Sequence, residues 1–339
     1  MKKRLFIPLA MVLVILAAYN VLIYFAARKT QRQHLLSTID HLPSSTGCLF
    51  LGNSLMEAGG DTAAFQSAWA DGDASPLTVN LGLGATTPVE HYLILKHAFS
   101  RPVHIKYVIY GFFDDQLNAS TSGNWEDLIG NRAFSYYFPR EAAVFYEPHS
   151  RLAAYQMELI QHVPMLAERS SLWDKVELFR RQMDQIGMPK QKVNRFGRVA
   201  DFGALEASDV PSFTRRCEAI VRARKTFSPP VQAMIDLAHQ HGAKFYLVEM
   251  PMSPRHLQTF YSLPVWAETR AYLQSLAEQE HVTYIAASDW VPNGTNFEDT
   301  VHLNEEGARS FSTRLATVMS RFATVSATNT IATASVRRF

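Results

Sequence analysis

The chain has 339 residues, 47% of them apolar, and its 33 lysines and arginines against 31 aspartates and glutamates leave a net charge of +2. That apolar fraction supports a packed core and excludes an intrinsically disordered chain. Six of the basic residues, Lys2, Lys3, Arg4, Arg28, Lys29 and Arg32, stand in a first 32 residues that hold no acid, so the remainder is mildly acidic and offers no broad basic surface to nucleic acid.

Leu5 to Ala27 carries no charge. At about 1.5 Å per residue a helix of this length reaches across the roughly 30 Å hydrocarbon core of a bilayer. It also exceeds the apolar stretch of about 7–15 residues found in cleaved signals. Residues 1–32 are therefore expected to be a membrane anchor, with Ala17 and Ala18 keeping a cleaved signal as the alternative. Basic residues flank both ends, so the positive-inside rule does not orient the segment. The short Met-Lys-Lys-Arg head before a large acidic body predicts that the body lies outside the cytoplasm.

Short apolar runs follow at Cys48–Leu51, Leu77–Leu83, Ile105–Phe112, Lys244–Met250 and Val282–Ala286. Runs this apolar read as strands buried on both faces, which predicts a mostly parallel sheet between two helical layers. Asn118 to Thr226 is too long for a loop and is dense in aromatics, among them Trp125, Phe134, Tyr136, Tyr137, Phe138, Phe145, Tyr146 and Trp173. It is expected to be a helical insertion, about 118–226, packing its own aromatics. Ser228-Pro229 opens a helix with Val231, Met234, Ile235 and Ala238 on one face and Gly242 after its end. A last helix carries Ala308, Phe311, Leu315, Val318 and Phe322 at three- and four-residue steps. The Ala/Ser/Thr-rich residues 325–339 are expected to be a mobile tail. Cys48 and Cys217 lie in no metal-binding spacing and read as two buried thiols in preference to one disulfide. His239 and His241 lack convergent ligands and read as surface residues.

The chemistry concentrates at two places. The first strand runs into LFLGNSLMEAG, putting Ser54 at a strand-to-helix turn, where a hydroxyl is exposed in the crevice at the carboxyl edge of a parallel sheet beside free backbone N–H groups. Near the far end, EDTVHLNEEGARSF places Asp299 and His302 three apart just before a helix, with Asn304 as its cap. A serine becomes a nucleophile only when a base takes its proton, and that base needs an acceptor at its other nitrogen to fix its tautomer. Ser54, His302 and Asp299 are the residue types for those roles.

Together the two blocks resemble the SGNH/GDSL hydrolase superfamily: GNSL at Gly52–Leu55 stands where that family has Gly-Asp-Ser-Leu, with Asn53 for the aspartate. DTVHLNEEG at Asp299–Gly307 matches its Asp-x-x-His-Leu-Asn-x-x-Gly block. NLGLGATT at Asn80–Thr87 is similar to the glycine block that lends a backbone N–H to the oxyanion hole, from Gly84 or, in a gapless alignment, Ala85. In YGFFDDQLN the family's Gly-x-Asn-Asp stands as Gly111, Phe112, Phe113 and Asp114, so no asparagine completes that hole, and a carboxylate offered there by Asp114 would repel an oxyanion.

The resemblance implies a three-layer α/β/α fold with a flavodoxin-like sheet over about 45–323. It implies Ser54 as nucleophile, His302 as base, Asp299 as its orienting acceptor, and the N–H groups of Ser54 and Gly84 as oxyanion donors, without metal or organic cofactor. With an N-terminal anchor, it implies a single-pass protein of the bacterial inner membrane, its domain on the periplasmic side, working as an esterase or O-acyltransferase on acyl-ester or acylated cell-envelope glycan substrates beside a multispanning membrane acyltransferase. The alternative from another class is a catalytically silent scaffold that binds polysaccharide or such a membrane partner, favoured by Phe113 and Asp114 where the family has Asn-Asp.

Overall fold

The computed structural model describes residues 2–27, 31–69, 75–118 and 203–336, with isolated positions between them. The chain divides into two compact units, one from residues 1–41 with 120–191 and the other from 42–119 with 192–339.

In the first unit, helix α1 spans Lys2–Ala27 and α2 spans Gln31–Asp40. Among the described residues no helix is long and apolar enough to cross a membrane. The crossing expected over Leu5–Ala27 is therefore not supported there. Most of the inserted aromatics, including Trp125, Tyr136 and Trp173, lie outside the described residues.

The second unit holds a five-stranded sheet in the order β2-β1-β3-β4-β5, parallel throughout. Its strands are β1 Thr46–Gly52, β2 Leu77–Asn80, β3 Tyr107–Phe112, β4 Lys244–Glu249 and β5 Thr283–Ala286. All seven residues of β1 are buried. Phe50, Ile109, Tyr246 and Val248 join one apolar cluster with Phe311, Leu315 and Met319, while the alternating Leu49, Val108, Tyr110 and Leu247 are buried as well. A sheet covered on both faces is what makes the strands continuous apolar runs. Helices α3 Ser54–Gly59, α4 Thr62–Ala68 and α9 Glu305–Val336 pack together, and α5 Pro88–Phe99 packs on α7 Pro229–Gln240. Helix α6, Gly203–Arg222, packs on α8, Pro264–Gln279, with the Phe213 ring 5.8 Å from that of Trp266.

Three details refine the reading of the sequence. Helix α9 runs through 325–336, within the stretch expected to be a mobile tail; the segment has no Gly or Pro to stop it, and its alanines favour continuation. The 118–226 excursion leaves and rejoins the sheet at one neck, where the Asn118 amide donates to the carbonyls of Lys225 and Thr226 at 3.2 and 2.7 Å and Ser228 N–H donates to Leu117 O. Cys48 and Cys217 are free, buried thiols.

The sheet also encloses a charge. Glu249, at the end of β4, is fully buried and takes a two-pronged ion pair from Arg270 at 2.6 and 3.0 Å, plus the Tyr284 hydroxyl at 2.8 Å. Arg270 also donates to Ser288 Oγ at 2.9 Å, which joins α8 to the loop after β5.

Candidate active site

The strand order reverses beside β1: the chain goes from β1 to β2 on one side and then to β3 on the other. The loops leaving β1 and β3 diverge there and open the crevice that parallel sheets use for ligands. Gly52 and Gly111 pair at that edge. Gly52 has φ 154°, and a Cβ on it would come within 2.8 Å of Gly111 O and 2.9 Å of Met56 Cβ, so the chain can make its turn into α3 only with glycine. Asn53 caps α3, its side-chain oxygen accepting Leu55 N–H at 2.9 Å. An aspartate would make the same cap, so the departure from Gly-Asp-Ser preserves the turn. Ser54 is the first residue of α3, where a backbone N–H has no acceptor within the helix.

The partner loop comes from 248 residues further along the chain. An antiparallel bridge between Phe297 and Leu303 and the Glu298 N–H donated to His302 O at 2.8 Å close it into a tight hairpin-like turn. Asn304 caps α9 through Gly307 N–H at 3.0 Å and ties the turn down by donating to Thr295 O at 2.7 Å. Within the turn, Asp299 Oδ1 accepts the N–H groups of Val301 and His302 at 3.0 and 2.8 Å, and both carboxylate oxygens lie 2.8–2.9 Å from His302 Nδ1. Burial by itself would raise the Asp299 carboxyl, but the hydrogen bonds from the His302 ring and the two backbone N–H groups outweigh it and hold the group below its ordinary value. With Nδ1–H pledged to the carboxylate, Nε2 is left as an acceptor, and it stands 2.8 Å from Ser54 Oγ. His302 is 4% exposed, so bulk water does not compete for this contact.

No family model and no curated protein matches the sequence. Two solved structures are similar over most of the chain at 12% identity. One is a provisionally assigned acylhydrolase from Bacteroides fragilis NCTC 9343, TM-score 0.41, covering 87% of this chain and 99% of that one. The other is a protein provisionally described as a platelet activating factor from Streptococcus pneumoniae, TM-score 0.35, covering 89% and 95%. A likeness this distant identifies neither the family nor the chemistry.

Of the positions that the resemblance ties to the oxyanion hole, Gly84 and Asp114 are both engaged by other groups. Gly84 N–H donates to Glu57 Oε2 at 2.6 Å. The Asp114 side chain lies 3.2 Å from His256 Nε2, and its N–H donates to the Tyr261 hydroxyl at 3.0 Å. Asp114 thus belongs to a cluster formed with the short helical segment after β4, and its carboxylate does not stand in for an asparagine amide. Both loops are held in uncommon backbone: Ala85 has φ 57° and Asp114 φ 47°, in the left-handed region that residues with a Cβ seldom occupy.

Behind the Gly84 loop lies a buried relay that the sequence did not signal. Thr86 Oγ1 donates to Leu83 O and therefore accepts from His91 Nε2 at 2.9 Å, which leaves His91 Nδ1 to accept the Tyr110 hydroxyl at 3.0 Å. Burial pushes His91 down to about 3, so the ring is neutral in the folded protein. Because the unfolded chain takes up this proton near pH 6.5 and the folded chain only near 3, stability falls as pH drops through that window. The loss reaches about 2 kcal/mol between pH 7 and pH 5. A His91→Gln variant is expected to lose less melting temperature than the parent over that same pH interval, as thermal unfolding followed by circular dichroism will measure.

Proposed function

We propose that the chain is a serine-dependent esterase or O-acyltransferase of the SGNH type, acting on acylated cell-envelope glycans. The observation that carries this reading is the 2.8 Å approach of His302 Nε2 to Ser54 Oγ, with His302 Nδ1 seated on the Asp299 carboxylate. In the proposed cycle, Ser54 Oγ attacks the acyl carbonyl while its proton passes to His302 Nε2, and Asp299 stabilises the imidazolium that forms. His302 then returns the proton to the departing alkoxide. Water, or a glycan hydroxyl in the transferase, reverses the sequence and frees Ser54. The N–H of Ser54 and that of Gly84, the latter once it has left Glu57 Oε2, are the donors for the charge that develops on the acyl oxygen.

The membrane anchor belongs to this reading: Leu5–Ala27 is uncharged, and Ile7, Met11, Leu13, Val14, Ile15 and Leu22 on α1 are exposed apolar side chains. So do the periplasmic placement of the domain and a multispanning acyl-supplying partner.

The test uses the detergent-solubilised full chain with p-nitrophenyl acetate, with and without an added envelope-type oligosaccharide. Release of p-nitrophenol is expected, and acetyl transfer to the oligosaccharide, read by mass spectrometry, selects the transferase. The engagement of Gly84 and Asp114 by neighbouring side chains favours the second reading, a silent scaffold; absence of both turnover and Ser54 labelling selects it.

A further inference from the structure

We propose that Glu57 is a resident gate on the oxyanion donor, its carboxylate holding the Gly84 N–H that an acyl oxygen must take over before Ser54 can act. This rests on the serine-hydrolase reading and adds a residue that the sequence motifs did not single out.

Glu57 follows Ser54 by three positions on α3, so the two side chains leave the same face of the helix. The loop carrying Gly84 is pressed on that helix: a Cβ at Gly82 would lie 2.6 Å from Glu57 N and 3.0 Å from Glu57 Cα, closer than any other residue allows. The contact with Glu57 Oε2, at 2.6 Å, is short and charge-assisted. A Cβ built at Gly84 would stand 3.0 Å from that same oxygen and 3.7 Å from Ser54 Cβ, so the carboxylate sits in the immediate surroundings of the nucleophile. The strained Ala85, φ 57°, and the buried Thr86–His91–Tyr110 relay hold the donor loop where it meets Glu57.

A tetrahedral oxyanion needs the Gly84 N–H and is repelled by a carboxylate beside it. Both effects vanish once the Glu57 side chain turns out of the site, and both penalise reaction while it stays. Loss of one oxyanion donor costs on the order of 10²–10³ in rate, which sets the scale of the brake. An incoming glycan or partner surface that draws Glu57 away would release it.

The experiment follows covalent labelling of Ser54 by a fluorophosphonate on the full chain in detergent, where Ser54 Oγ bonds to phosphorus, fluoride leaves and His302 takes the proton. Parent, Glu57→Ala and Glu57→Gln are compared, with a Ser54→Ala/Glu57→Ala double variant as control. In parallel, selective 15N-glycine labelling follows the Gly84 amide. Glu57→Ala is expected to label at least about tenfold faster than the parent, in proportion to the donor it frees. Glu57→Gln, which keeps the shape and loses the charge, is expected to fall between them and serves if the alanine variant fails to fold. The Gly84 amide proton is expected to move upfield in both variants. Labelling that is unchanged or slower, in variants whose parent does label, overturns the gate and leaves the serine mechanism standing. A Gly84 resonance that stays in place also overturns the gate, and silence of parent and variants alike overturns both.

Discussion

Ser54→Ala and His302→Ala are each expected to abolish p-nitrophenyl acetate turnover and fluorophosphonate labelling, with losses on the order of 10⁴–10⁶ in rate, because nucleophile and base fail as a unit. The double variant is expected to be no worse than either single one. Asp299→Asn is expected to lose less, on the order of 10³–10⁴, since an amide cannot hold His302 Nδ1–H in the tautomer that leaves Nε2 free for Ser54. Asp299 also accepts the backbone N–H groups of Val301 and His302, so its replacement loosens the turn that aims the ring. Separate measurement of kcat and KM distinguishes the two effects: loss of base orientation lowers kcat, whereas a merely unsettled turn would raise KM as well. Undiminished labelling of Ser54→Ala would falsify the nucleophile assignment.

The second large effect is on stability. Arg270→Ala is expected to destabilise the second unit by about 3–5 kcal/mol, the cost of leaving a buried carboxylate without its partner. Glu249 has no route to water: its side chain is fully buried and its remaining support is the Tyr284 hydroxyl. Burial and the nearby Glu249 charge both push Tyr284 well above its ordinary value, so it stays a neutral donor that cannot offset the charge. Replacing the pair together, as Glu249→Gln with Arg270→Met, is expected to recover much of the loss, because no uncompensated charge remains inside. Urea denaturation of the three proteins measures both numbers; an Arg270→Ala midpoint equal to that of the parent would show that the ion pair contributes nothing.

Much of the fold was legible in the chain. The five strands lie within a few residues of the apolar runs, since a strand buried on both faces must be apolar throughout and its period cannot be mistaken for a surface helix. The Asn304 cap and the Ser228-Pro229 helix start were legible for the same local reason, as each is decided by a residue and its nearest neighbours. The end of α9 was not, because an Ala/Ser/Thr composition without Gly or Pro is compatible with either helix or coil and carries no stop signal.

At the site the division falls differently. Ser54, Asp299 and His302 could be nominated from their types and spacing, and the Asp299–His302 contact is local enough for a three-residue step to predict. The meeting of His302 with Ser54 could not be read locally, since it joins residues 248 apart and depends on β1 lying at the point where the strand order reverses. The oxyanion assignments failed to be local in another way. Gly84 and Asp114 were nominated by motif position, yet what each backbone or side chain actually meets, Glu57 in one case and His256 with Tyr261 in the other, is fixed by how three separate loops crowd at the sheet edge.

By itself, the sequence determined which segments are strands, which residue types are available for acid, base and nucleophile, and where helices begin, because those follow from burial period and from contacts between neighbours. Only the tertiary structure decided which of those groups touch, that Gly84 N–H is already occupied, and that His91 is a neutral link in a buried relay. Hydrogen bonds act over about 3 Å while the chain that joins their partners runs for tens to hundreds of residues, so sheet order and loop packing set them.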